Sequence, residues 1–188
     1  MSDPSRAPDR EHIFRSLYEA VYADLLRFVQ RRAAPDLADD VVADAFLVVW
    51  RRLDELPREH EDARAWVFGI TRNMLLNERR GGQRRRALGV RLADATTQRG
   101  VEAEADLVVS AVDLRKAWAL LSEIHQEVLG LAVFEGLRAP QAAAVLGISP
   151  VAFRLRLSRA RRALRLRFDH LPQPSGTSAA VTERTTTS

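Results

Sequence analysis

Residues 139–167 read APQAAAVLGISPVAFRLRLSRARRALRLR, and their pattern decides the fold. A short alanine-rich segment runs into a Gly147-Ile148-Ser149 turn. The segment after the turn carries Arg154, Arg156, Arg159, Arg161, Arg162, Arg165 and Arg167 and no acid. Ser149 is placed to cap this second helix, and Pro150 suits its first position, where a missing N–H costs nothing. Phe153, Leu157, Ala160, Leu164 and Phe168 recur at steps of four, three, four and four, which is one helical face. The arginines occupy the other faces. A solvated amphipathic helix closing a small bundle is the plain alternative. The glycine turn, the cap and the spacing together favour a helix-turn-helix whose basic second helix enters a major groove.

The chain has 188 residues, which suits one domain or two small ones. Hydrophobic residues make up 46%, enough for packed cores, and 29% are charged, as in a soluble protein. No apolar run approaches the length of a membrane span, and the polar start MSDPSRAPDREH has no signal-peptide stretch. The expected location is therefore the cytoplasm. Cysteine is absent, which removes disulfides, thiolate metal sites and cysteine nucleophiles together. Four scattered histidines (His12, His60, His125 and His170) form no His-x-x-x-His pair, and there is no glycine-rich phosphate loop. Neither an enzyme nor a bound metal, cofactor or small-molecule substrate is expected.

Net charge is +4, but its distribution says more than the sum. Asp36, Asp39, Asp40, Asp44, Asp54, Glu55, Glu59, Glu61 and Asp62 face only three arginines within 36–62. Residues 72–91 reverse this, with seven arginines against Glu78. One acidic surface and two basic ones suggest a basic-surfaced protein partner and two contacts to nucleic acid.

The pattern is helical throughout, giving an all-α fold of two small helical domains joined by a flexible linker. The first spans 9–80. Asp9 caps a helix with Phe14, Tyr18, Val21, Leu25 and Phe28 in one stripe. Asp36 caps a second, running to about Leu53. That helix is apolar on two sides, Leu37, Val41, Ala45, Val48 and Val49 on one and Val42, Phe46 and Trp50 on the other, so it is central in a bundle or shared with a partner. Asp62 opens a third, with Trp66, Ile70 and Met74 inward and a basic, amide-bearing end. Residues 81–105 read as linker, able to span roughly 80 Å at about 3.3 Å per residue. Helices near 107–121, 122–134, 139–146 and 150–168 build the second domain, 106–168, and 169–188 has the composition of a disordered tail.

The stretches ADDVVADAFLVVWRRLDEL and DARAWVFGITRNMLLNERRGGQRRR resemble region 2 of bacterial sigma factors of the extracytoplasmic-function group. LRKAWALLSEIHQEVLGLAVFEGLRAPQAAAVLGISPVAFRLRLSRARRAL resembles their region 4. The most specific pieces are the W-x-x-x-I-x-R-N run at Trp66, Ile70, Arg72 and Asn73, and the run from Arg156 to Leu164. The resemblance covers about residues 11–168 and implies a specificity subunit of RNA polymerase. By it, Asp40, Asp44, Phe46 and Trp50 dock on the clamp helices of core RNA polymerase. Arg72, Asn73, Asn77, Arg79 and Arg80 read and open the minus-ten element. Val151, Ala152, Arg154, Leu155, Arg156 and Arg159 read the minus-thirty-five element of promoter DNA, and the same domain touches the polymerase flap. An anti-sigma factor is a common partner in the family.

The chain departs from the usual pattern at Val151-Ala152 and Leu155, where common members carry hydroxyl side chains. It also departs at Gln141-Ala142-Ala143, at Ala43 and at Gln126. Ala152 and Leu155 suit thymine methyls instead. Two rival functions follow from the same residues: a stand-alone helix-turn-helix regulator, and a polymerase-binding adaptor with weak DNA binding.

Overall fold

The computed structural model describes residues 6–81 and 105–169. The linker expected at 81–105 lies, apart from its two end residues, outside the described residues. So does the expected tail after Asp169. Seven α-helices make up the described chain, with two single 3-10 turns and no strand among the described residues. They are α1 (Arg6–Gln30), α2 (Ala38–Arg51), α3 (His60–Gly81), α4 (Ala105–Ala119), α5 (Glu123–Val133), α6 (Ala139–Leu146) and α7 (Pro150–Asp169).

The acids expected as caps sit inside or before the helices they were to open. α1 and α3 begin three and two residues ahead of Asp9 and Asp62, which occupy their first turns. There they still favour the positive end of the helix dipole. Asp36 falls in a 3-10 turn, Pro35–Leu37, and Leu37 precedes α2 with no side-chain cap.

α1, α2 and α3 pack through the stripes read in the sequence. Val21, Leu25, Phe28 and Val29 of α1 are fully buried against Val42, Ala45 and Val49 of α2 and Val67 and Phe68 of α3. Phe28 and Phe68 stack with ring centroids 5.0 Å apart. In the second unit Trp118, Leu121, Leu129 and Ala160 form a smaller cluster, onto which Leu157, Ala163 and Leu164 fold. The face predicted for α7 is thus inward from Phe153 to Leu164 and fades at Phe168, which is exposed.

The two units are not held apart. Val128 and Leu131 of α5, Ala142, Ala143 and Val145 of α6, and Phe153 of α7 belong to the same apolar cluster as α1–α3. The alanines of α6 explain the approach. A Cβ at Gly69 of α3 would lie 3.8 Å from the Val145 Cα, so small residues on both helices bring the backbones together.

Charged groups cross this seam as well. The Glu135 carboxylate accepts hydrogen bonds from Arg31 Nη2 at 2.8 Å and Arg32 Nη1 at 3.3 Å, with all three side chains buried. Arg32 also donates to the Phe28 carbonyl at 2.9 Å and lies 3.6 Å from the Phe28 ring centre. Burial pushes its guanidinium down to about 10, against the pull of Glu135 and Glu127. That value stays above neutrality, so the group remains a cation. Arg64 of α3 binds Asp24 and donates to the Glu135 carbonyl at 2.7 Å. Glu135 owes its position to Gly136, whose φ of 62° turns the chain after α5.

Truncating Phe28 to alanine should cost about 3–5 kcal/mol, because a fully buried ring and its stacking partner are lost at once. Urea denaturation followed by helical circular dichroism measures it. A cost below about 1 kcal/mol would contradict the packing described.

Candidate nucleic-acid interface

The helix-turn-helix is built by local chemistry. α6 ends in Gly147 with φ 66°, and the Ile148 N–H donates back to the Ala143 carbonyl at 3.0 Å. This is the closing bond of a left-handed glycine cap. Ser149 then starts α7, its Oγ accepting from the Ala152 N–H at 3.2 Å, with Pro150 in the first helical position. Sequence and structure agree on both.

α7 presents the residues named for the minus-thirty-five element. Arg154, Arg156 and Arg159 are exposed, as are Val151 at 69% and Leu155 at 51%. Ala152 is half-buried. Arg161, Arg162, Arg165 and Arg167 are exposed too. Phe153 and Ala160, buried on the opposite side, anchor the helix so that the basic face points outward. Guanidinium forks suit phosphate oxygens and guanine edges, whereas the two apolar tips at the helix start suit methyl groups.

The residues named for the minus-ten element divide. Asn73 and Asn77 on α3 are exposed. Asn73 lines a cleft of about 490 Å³ between the units, together with Arg52, Trp66, Gly69, Pro140 and Gln141. Arg72 is engaged: Nε and Nη2 donate to the two Glu127 oxygens of α5 at 2.6 and 3.1 Å. Side chains of Arg79 and Arg80 fall outside the described set. Trp66 is half-buried against the core under Arg52, while Phe68 is fully buried. Phe68 is therefore a packing residue.

On the far side α1 and α2 enclose an aromatic groove of about 510 Å³, lined by Phe14, Tyr18, Tyr22, Asp39, Val42, Phe46 and Trp50. Asp40 and Asp44 are exposed on α2, and Trp50 is 40% exposed. Phe46 is only 4% exposed and does not project as a contact of its own. Its ring lies 4.6 Å from Tyr18 and 6.0 Å from Phe14, forming the groove's floor. Phe14 and Tyr18 stand in the apolar stripe expected of α1, and Tyr22, outside that stripe, extends them into an aromatic row 14, 18, 22. Its exact four-residue step, unlike the three-four alternation of a core stripe, was the clue that it drifts to an outer face.

This two-part helical architecture has known counterparts. Residues 17–85 match Sigma-70 region 2 and residues 111–164 match Sigma-70, region 4. The chain is 31% identical over 160 residues to the ECF RNA polymerase sigma factor SigL of Mycobacterium tuberculosis, covering 85% of this chain and 90% of that one. It is 32% identical over 131 residues to the RNA polymerase sigma factor NccH of Alcaligenes xylosoxydans xylosoxydans, covering 67% and 70%. The solved structure of CnrH in complex with the cytosolic domain of CnrY superposes with a TM-score of 0.55 at 28% identity, covering 83% of this chain and 87% of that one. The sigma factor RpoE of Bartonella quintana, solved with the anti-sigma factor NepR, shares the fold at TM-score 0.55 and 22% identity, covering 87% and 99%. The chain belongs to the extracytoplasmic-function sigma factors of the sigma-70 family. Its function is accordingly that of a sigma subunit in transcription initiation, with core RNA polymerase and promoter DNA as partners.

Replacing Ser149 by alanine should cost about 1 kcal/mol of stability and loosen the start of α7, since the Ala152 N–H loses its acceptor. Thermal unfolding of the pair of proteins gives the difference.

Proposed function

We propose that the two basic elements and the aromatic groove divide the work of promoter recognition. α7 reads the minus-thirty-five element with Arg154, Arg156 and Arg159 on base edges and phosphates, and with Val151, Ala152 and Leu155 against thymine methyls. α3 and the chain after it act at the minus-ten element. Arg72, Arg79 and Arg80 hold one strand by its phosphates, while Asn73 and Asn77 capture an unstacked base through its hydrogen-bonding edge. Unstacking costs a few kcal/mol per step, which several such contacts offset. The groove of α1 and α2, rimmed by Asp39, Asp40 and Asp44, takes the clamp helices of core polymerase, with Trp50 as anchor and Phe46 as floor.

The observation that carries this reading is the outward arginine face of α7, fixed by Phe153 and Ala160 behind it and by the Ser149 cap. On this reading the protein makes and breaks no covalent bond and works in the cytoplasm beside polymerase. No helix among the described residues is long and apolar enough to cross a membrane. The domain limits are those of the sequence, 9–80 and 106–168, with 81–105 as tether. An anti-sigma factor completes the list of partners. The support is the related CnrH, which was solved bound to the cytosolic domain of CnrY.

Run-off transcription with purified core polymerase on genomic fragments, with and without this protein, tests the assignment. Arg156→Ala or Arg159→Ala should weaken upstream recognition by about 1–3 kcal/mol for each base-specific pair lost. Asp40→Lys with Asp44→Lys should weaken assembly with core polymerase. Promoter-directed transcription that survives both sets of changes would overturn the residue roles.

A further inference from the structure

We propose that Val151 and Leu155 form a methyl reader at the tip of α7, ranking promoters by the C5-methyl groups of pyrimidines in the minus-thirty-five element. The methyl of thymine and that of 5-methylcytosine serve alike, so cytosine methylation within the element strengthens recognition. This inference rests on the reading of α7 as the helix that enters the major groove. At about 100° per residue, Val151 and Leu155 lie about 40° apart, on a ridge about 140° to 180° away from the buried Phe153 and Ala160. Val151 is the most exposed of the large apolar side chains among the described residues. The first turns of a recognition helix are those that reach base edges. Over these turns the ridge aimed most directly into the groove carries no side-chain hydrogen-bond donor or acceptor.

The surroundings of this tip say what covers it. From Pro150 to Phe168 there are seven arginines and no acid. Arg154 flanks the ridge on one side and Arg159 on the other, and both are exposed. A protein that covered this face would need a small apolar spot ringed by acids. A DNA major groove has that arrangement already: phosphates line both walls, and pyrimidine C5-methyl groups are the apolar feature of its floor. The methyl of 5-methylcytosine sits on the same ring carbon and faces the same groove. Apolar side chains touch the methyl alone, so they do not separate the O4 acceptor of thymine from the N4 donor of cytosine. Val151 and Leu155 lie about 6 Å apart along the helix axis. That distance spans at most about two base steps of roughly 3.4 Å, so the two methyls fall within about three consecutive base pairs.

Holoenzyme assembled from core polymerase and the full chain is titrated onto a promoter found by the run-off assay. Each pyrimidine of the minus-thirty-five element, on either strand, is changed singly: thymine to deoxyuridine, unmethylated cytosine to 5-methylcytosine. These swaps remove or add one methyl and leave the hydrogen-bonding edge intact. At two positions within about three consecutive base pairs, affinity should fall about three- to fivefold on losing the methyl, or rise as much on gaining it. Leu155→Ala and Val151→Ala should each abolish the effect at one of these positions. Arg159→Ala should lower affinity with and without the methyl and leave their ratio unchanged. Amplified copies of a genomic fragment keep thymine methyls and lose those of cytosine, so comparing the two shows which source operates. Affinity indifferent to every methyl in the parent holoenzyme overturns the methyl reader, with no variant needed. So does a methyl effect that both variants retain. Leu155→Ala that weakens assembly with core polymerase, with no methyl effect in the parent, makes the pair a protein contact and overturns it as well. If whole base-pair changes in the element also leave affinity unaltered, the reading of α7 itself fails. If they lower affinity and the methyl swaps do not, only the methyl reader falls.

Discussion

A buried carboxylate facing two buried guanidinium groups sets the terms for this structure. Glu135 is the carboxylate that Arg31 and Arg32 share, and around these three side chains water is almost wholly excluded. Removing one partner from such a set typically costs about 3–5 kcal/mol, because the remaining charge is stranded. The cost of burying Arg32 shows in its depressed proton affinity, which desolvation lowers most. Rings help to hold both cations: Phe28 lies against Arg32, and Phe134 sits 5.3 Å from Arg31. The turn at Gly136, the C-terminal end of α1 and the start of α3 are thereby tied to one another through a single side chain and its carbonyl.

Much of the architecture was legible in the residue pattern, and the reason is that it is local. The turn at Gly147, the Ser149 cap and the apolar face of α7 each involve positions within a few residues of one another, where spacing translates directly into geometry. The two-sided α2 was legible for the same reason, and its sides indeed meet the core and the groove. Asp36 misled the helix start, because an acid two positions before a helix looks like a cap whether or not a 3-10 turn intervenes.

The docking of the two units was not legible. Glu127 and Glu135 have no periodic relation to Arg72 or Arg31, and α6 looked like an unremarkable alanine-rich helix until α3 was seen against it. An alanine says that something comes near but not what. The same limit applies to the groove. Phe46 was named as a polymerase contact by the family resemblance, whereas its burial puts it at the floor of the groove, against Tyr18 and Phe14. The site residues on α7 were easier to place because an exposed face needs no partner to define it.

The outward face of α7 has one more consequence. Its cations are all guanidinium groups, and across the 188 residues lysine occurs once, at Lys116, where it pairs with Asp113. Guanidinium is not a substrate for the amine acylation that neutralises lysine. On the proposed reading, the sign of this helix's attraction to DNA phosphates is therefore set by composition. Control over it has to come from access, not from chemistry on the charges themselves.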